Sequence, residues 1–203
     1  MGIPVLVLGE SGSGKSTSLR NFDIEEVGIF NVAGKPLPFR KKLNKVNNAS
    51  YGMILKVLNA PKLKKYVIDD SQYLMAFESF DHAKETGYGK FTNMALNFKN
   101  LIDFVIRKTP DDVIVYFLHH TERTDDGRLK AKTLGKMLDN QLTVEGLFSI
   151  VLLCQAEGSE HYFITNSDGS NPAKSPMEMF EMRIPNDLKE VDKTIREYWE
   201  IGG

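Results

Sequence analysis

Val5-Leu6-Val7-Leu8-Gly9-Glu10-Ser11-Gly12-Ser13-Gly14-Lys15-Ser16-Thr17 is the stretch from which the fold of this chain is read. Four apolar residues, Val5 to Leu8, make a run short and β-branched enough for a buried strand. Gly9-x-x-x-x-Gly14-Lys15-Ser16 follows at once, the complete pattern of a phosphate-binding loop. Its glycines let the backbone curl so that successive N–H groups converge on a triphosphate. Lys15 then reaches the β- and γ-phosphates, and the Ser16 hydroxyl ligates Mg²⁺. Gly9, Glu10, Ser11, Gly12, Ser13, Gly14, Lys15, Ser16 and Thr17 are the expected nucleotide-binding set, with ATP and Mg²⁺ as its ligands. A helix over Ser16 to Asn21 is expected to turn the positive end of its dipole toward the same phosphates. A Gly/Ser-rich turn can match the pattern by chance; the strand before it and the helix-compatible segment after it favour nucleotide binding.

The 203 residues suffice for one substantial core, and a single domain over residues 1–203 is expected. With 41% hydrophobic and 26% charged residues and a net charge of −1, no global cationic excess advertises nucleic acid. Any such binding must come from a local patch or from several assembled subunits. The single cysteine, Cys154, closes the apolar run Ile150 to Leu153 and reads as a buried thiol. Met1-Gly2-Ile3-Pro4 leads straight into the loop strand, so no leader peptide is expected, and position 6 is Leu6 rather than the Ser or Thr of an acylation signal. No apolar run approaches the ~20 residues of a membrane span. A cytoplasmic protein is expected.

Taken in order, Val27 to Val32 reads as a second strand and Ala33 to Pro38 as a loop, followed by the basic cluster Lys35, Arg40, Lys41, Lys42 and Lys45, either a solvated surface or a phosphate-backbone contact. Tyr51, Ile54, Leu55 and Leu58 recur at helical spacing. Lys65-Tyr66-Val67-Ile68-Asp69-Asp70-Ser71 is a strand ending in two acids, as a phosphate-loop fold requires. Asp69 is expected to hold the Mg²⁺ shell and Asp70 to polarise the attacking water. Helices are expected over Ser71–Phe80 and about Thr92–Arg107, with residues 86–91 as a loop in which Tyr88, Lys90 and Phe91 either clamp a base or tuck under the loop. Val113 to Leu118 is a strand with the polar tip His119-His120-Thr121-Glu122. Such tips face the ligand crevice of an open α/β sheet, so His119 or His120 is a candidate γ-phosphate sensor. A zinc site is disfavoured because adjacent histidines diverge on a strand. Thr121 to Gly135 reads as a polar mobile loop rich in Arg and Lys. Phe148–Gln155 and His161–Thr165 form a hairpin; Ile184 to Asp187 ends the regular chain before a closing helix over Leu188–Ile201.

This order resembles the RecA-like ATPase core, and in particular the bacteriophage-type family of small RecA-like ATP-binding proteins associated with recombination and single-strand annealing. The resemblance is carried by Gly9 to Thr17, Tyr66 to Ser71, Gly87-Tyr88-Gly89-Lys90, Val115 to His120 and Ile184 to Leu188. It implies an α/β fold with a mostly parallel central sheet flanked by helices and a C-terminal β-hairpin. It also implies ATP hydrolysis coupled to single-stranded DNA, in homo-oligomeric rings or filaments, beside a single-strand-binding protein and in the bacterial host cytoplasm. By position, Lys15 grips the phosphates, Ser16 and Asp69 serve Mg²⁺, His119 or His120 senses the γ-phosphate, and Lys174 acts in trans on a neighbouring subunit's ATP.

One departure stands out. The family places a catalytic glutamate just past the second strand, where this chain has Phe30-Asn31-Val32-Ala33-Gly34-Lys35. Either Asp70 takes over the water, or the protein is a nucleotide-gated assembly protein with slow hydrolysis. A small-molecule kinase is the other reading, with Thr121 to Lys136 as a lid over the phosphates.

Overall fold

Hydrophobic alternation sets the strands on their two faces. In the computed structural model, which describes residues 1–87, 89–134 and 142–202, β1 (Ile3–Gly9) sends Leu6 and Leu8 to one face and Val5 and Val7 to the other. The same alternation runs through β4 (Lys65–Asp69), β5 (Ile114–Arg123) and β7 (Ile150–Glu157). Because both faces are covered, these strands read as nearly continuous apolar runs, as buried parallel strands do. β2 (Gly28–Asn31) and β3 (Lys45–Asn47) complete the parallel part, and β8 (Glu160–Ile164) and β9 (Arg183–Pro185) extend it antiparallel. The order across the sheet is β3-β2-β4-β5-β1-β7-β8-β9.

On one face pack α1 (Tyr51–Leu58), α2 (Gln72–Asp81) and α3 (Gly89–Lys108), burying Ile54, Leu58, Leu74, Met75, Phe98 and Leu101 against Leu6, Ile68 and Phe117. On the other, α4 (Leu188–Tyr198) buries Leu188, Val191 and Ile195 with Leu19 and Phe22 against Val5, Val67 and Tyr116. At about 1.5–3 kcal/mol for each fully buried large aliphatic or aromatic side chain, these two layers supply the main driving force. Asp187 starts α4 by accepting from the Lys189 N–H, and Ser50 caps α1 through the Met53 N–H. Trp199 packs partly buried on the second core. The molecule is thus an α/β protein with a mostly parallel mixed sheet flanked by helices. No helix among the described residues is long and apolar enough to cross a membrane.

Several local expectations are corrected. The segment after the glycine-rich loop is a four-residue 3₁₀ turn, Ser16–Leu19, rather than a helix to Asn21. There the Ser18 hydroxyl and the Arg20 guanidinium donate to nearby backbone carbonyls, which competes with α-helical pairing. Residues 89–91 belong to α3 rather than to a loop. Residues 121–131 are not a structureless loop: β5 runs on to Arg123 and pairs antiparallel with β6 (Leu129–Ala131). Arg183–Pro185 is an edge strand rather than a chain stop. Tyr88, Gly135 and Lys136 lie outside the described residues.

Candidate functional site

Parallel strands bring their carboxyl ends to one edge, and that edge carries the residues singled out from sequence. The loop Gly9–Lys15 follows β1, Asp69 ends β4, and β5 lies between them. Register places His120 beside Gly9 and His119 beside Leu8.

The loop is shaped from behind. Ser13 O accepts from His161 Nδ1 at 2.9 Å and from Cys154 Sγ at 3.1 Å, and Gly14 O accepts from Asn186 Nδ2 at 3.2 Å. In a planar trans peptide the N–H points opposite to the C=O. Holding these carbonyls backward therefore turns the N–H groups of Gly14 and Lys15 forward, as an anion cradle needs. Gly14 sits at φ 100°, and a Cβ there would meet the His161 ring at 2.8 Å. A Cβ on Gly9 would lie 2.8 Å from the Cys154 carbonyl oxygen. Only glycine fits either position. The following 3₁₀ turn is four residues long, too short to contribute a helix dipole, so any anion in front of the loop would meet the loop N–H groups and Lys15 instead.

In front of the loop is a cavity of about 230 Å³ that Lys15, Ser16, Lys35, Asp69, Asp70 and His120 help to line. Lys15 is buried and donates to Gly9 O at 2.8 Å and Glu10 O at 2.9 Å. Burial pulls its pKa down against the pull of Asp70, Cys154 and Asp69. Ser16 Oγ donates to Asp69 Oδ1 at 2.8 Å. Burial pushes the Asp69 carboxyl up, opposed by that hydrogen bond. Among the described residues no three His, Cys, Asp or Glu side chains gather as a metal-binding group. Mg²⁺ needs fewer, because it keeps water and phosphate oxygens beside one or two carboxylates. The adjoining oxygens of Ser16 and Asp69 fit it.

Asp70 stands at the corner between β4 and α2 with φ 60°, a left-handed conformation that costs a non-glycine residue roughly 1–2 kcal/mol. The turn presents its carboxylate to two donors, Lys35 Nζ on Oδ2 at 2.8 Å and His120 Nε2 on Oδ1 at 3.2 Å. Burial alone would raise its pKa; the hydrogen bonds from His120 and Lys35 outweigh it and hold the carboxyl at about 2. The His120 ring packs edge-on to Tyr73, and its backbone N–H donates to Gln72 Oε1.

The two histidines separate, as neighbours on a strand must. His120 faces the cavity. His119 is fully buried beside Phe98, its Nε2 on Lys132 O at 2.7 Å and its Nδ1 on Ser71 Oγ at 2.9 Å. Burial pushes its pKa down to about 4, so it is neutral, with the proton on Nε2 and Nδ1 accepting from Ser71. His119 ties β5 to the start of α2 and to the end of the β6 hairpin, out of reach of the cavity.

Lys174 is not brought to the loop of its own chain. Its backbone bridges Val151 on the outer side of β7, level with Leu6, three residues before Gly9. Sequence reading missed His161 and Asn186 as supports of the loop and treated Lys35 only as part of a basic cluster. A two-residue hairpin turn at Gly158-Ser159 brings His161 back toward the loop, a signal visible only once β7 is known to neighbour β1.

A second cavity, of about 390 Å³, lies on the other side of the loop crown, between the tips of β5 and β7, with Thr121, Arg123, Gln155 and Tyr162 among its walls. No protein-family model matches this chain, and no curated protein of similar sequence is found.

Proposed function

We propose that this chain is a RecA-like phosphate-loop ATPase, Mg²⁺-dependent, whose turnover responds to single-stranded DNA in recombination or strand annealing. The observation that carries the ATPase reading is convergence: Lys15, Ser16, Asp69, Asp70 and His120, drawn from three separate strand ends, line one cavity. Mg²⁺, when bound by Ser16 and Asp69, offsets charge on the β- and γ-phosphates. Lys15 leaves its two loop carbonyls for the phosphate oxygens, where an ammonium stabilises the developing charge. Asp70 orients the attacking water and takes its proton as the water oxygen bonds the γ-phosphorus. The bond to the β–γ bridging oxygen breaks, and that oxygen leaves on ADP with the electron pair. Asp70 thereby fills the role of the glutamate missing after β2.

Support for DNA is electrostatic. The basic segments 35–42 and 123–132 both emerge at the carboxyl edge that holds the loop. Their cations are partly spoken for, Arg123 by Glu10, Arg128 by Asp126, Lys130 by Glu122 and Lys41 by Asp23. The pairs of Arg123, Arg128 and Lys41 are exposed, and such pairs are each worth about 0–1 kcal/mol, so phosphates can displace them. Lys174, remote from its own loop, would act only on a neighbouring copy in a homo-oligomer.

Phosphate release from ATP, with and without single-stranded DNA, tests the reading. Wild type is expected to release phosphate faster with DNA, and Lys15→Ala to lose at least a hundredfold in turnover. The closing helix packs on the sheet, so the end of the chain does not argue against a kinase; the 390 Å³ cavity favours one by offering room for an acceptor. Label appearing on a small acceptor, with turnover indifferent to DNA, would decide for that alternative.

A further inference from the structure

We propose that Lys35 reads the γ-phosphate: in the free chain it is paired with Asp70, and a bound nucleoside triphosphate draws it onto the terminal phosphate, leaving Asp70 Oδ2 to water. This rests on the nucleotide reading of the cavity and adds a residue to it. Lys35 lines the same cavity as Lys15, Asp69 and Asp70, so two lysines and two aspartates balance there. A third phosphate breaks that balance with negative charge, and the least confined cation responds first.

Lys35 is that cation. Its ammonium lies 2.8 Å from Asp70 Oδ2, yet its side chain is 59% exposed, against 13% for Asp70. The backbone beneath it is held: Lys35 O accepts from Asn31 Nδ2 and, at 3.0 Å, from Lys45 Nζ. A fixed root and a loose head let the ammonium swing while its reach stays centred on the cavity. The Tyr73 ring, 5.0 Å from Nζ, gives the charge a face to slide across. His120 keeps Oδ1 occupied throughout, so the move of Lys35 frees one defined oxygen. ADP, lacking the terminal phosphate, leaves Lys35 on Asp70.

Titration calorimetry of the full chain with Mg²⁺ and either ADP or a non-hydrolysable ATP analogue tests this. Wild type is expected to prefer the triphosphate. Lys35→Met is expected to weaken the analogue about tenfold and leave ADP unchanged, the size of one charge-assisted hydrogen bond. Lys35→Arg is expected to restore most of the preference, and circular dichroism to show all variants folded, since the side chain is largely exposed. Equal weakening of both ligands, or no change in either, would overturn the proposal while leaving the nucleotide reading intact. Failure of wild type to bind either ligand would overturn both.

Discussion

Two clusters of buried charge sit at opposite ends of the same sheet and are wired differently. At the amino edge, Arg196 of α4 donates to Asp192 Oδ2 at 2.8 Å and to the carbonyls of Lys64, Asp112 and Gly202. Asp192 also accepts from Tyr116 and lies 3.4 Å from Lys65. Every partner there belongs to a helix, a strand start or a chain end that the fold already needs in place. At the carboxyl edge, Lys15 is satisfied only by its own loop's carbonyls, and Asp70 by His120 on one oxygen and an exposed lysine on the other. The first cluster is closed. The second leans on loop carbonyls and an exposed ammonium, partners that the proposed nucleotide would replace. Buried charge fully paired within the fold serves the fold; charge with exchangeable partners in a cleft is what the proposed site would use.

That contrast breaks most visibly at Arg196. Arg196→Met leaves Asp192 buried without its main counter-ion and is expected to cost about 3 kcal/mol of stability, read by urea unfolding. Nucleotide affinity of the folded fraction is expected to hold; a drop in affinity at unchanged stability would dissolve the distinction between the two edges. Asp70→Asn tests the other end. It keeps size and the left-handed turn but removes the charge, so turnover is expected to fall about a hundredfold, roughly 2.7 kcal/mol. ATP-analogue binding is expected to stay within about threefold, and unchanged turnover would reject Asp70 as the group that handles water.

The smallest effect sharpens the boundary between the edges. His119 lies beside the site yet is wired like the amino-edge cluster, with both ring nitrogens engaged inside the fold. Its folded pKa, about 4, lies below the ordinary 6.5, so the unfolded chain binds the proton first as pH falls. Stability from this group is therefore complete above pH 6.5 and drains between pH 6.5 and 4. From pH 6.5 to 5.5 the loss is about 1 kcal/mol, and Phe-like insensitivity in that window for wild type would contradict the buried neutral ring. His119→Gln is expected to flatten the slope.

The strand and glycine-rich loop at the start, the Asp69-Asp70 pair at the end of β4, the hairpin of β7 and β8 and the closing helix were legible because each is a local pattern: a spacing, an alternation or a stripe. The β6 pairing was not, since Leu129-Lys130-Ala131 is too short and polar to signal a strand; it forms because β5 overshoots the core and offers Thr121 to Arg123 as an edge. The short turn after the loop was misread as a helix because propensity does not register that Ser18 and Arg20 bond back to their own backbone. The histidine pair could be singled out but not divided, because strand alternation says that neighbours diverge without saying which face the helices cover.

By itself, then, the sequence determined that a strand leads into a glycine-rich loop and that two acids end another strand, since these depend on residue type and spacing within one segment. Tertiary structure decided which groups meet. Inserting β5 between β1 and β4 sets His120 against Asp70, pairing β7 with β1 delivers His161 and Cys154 to the back of the loop, and the turn after β2 lays Lys35 on Asp70. Contacts between residues tens of positions apart are fixed by strand order and register, and no local periodicity encodes either.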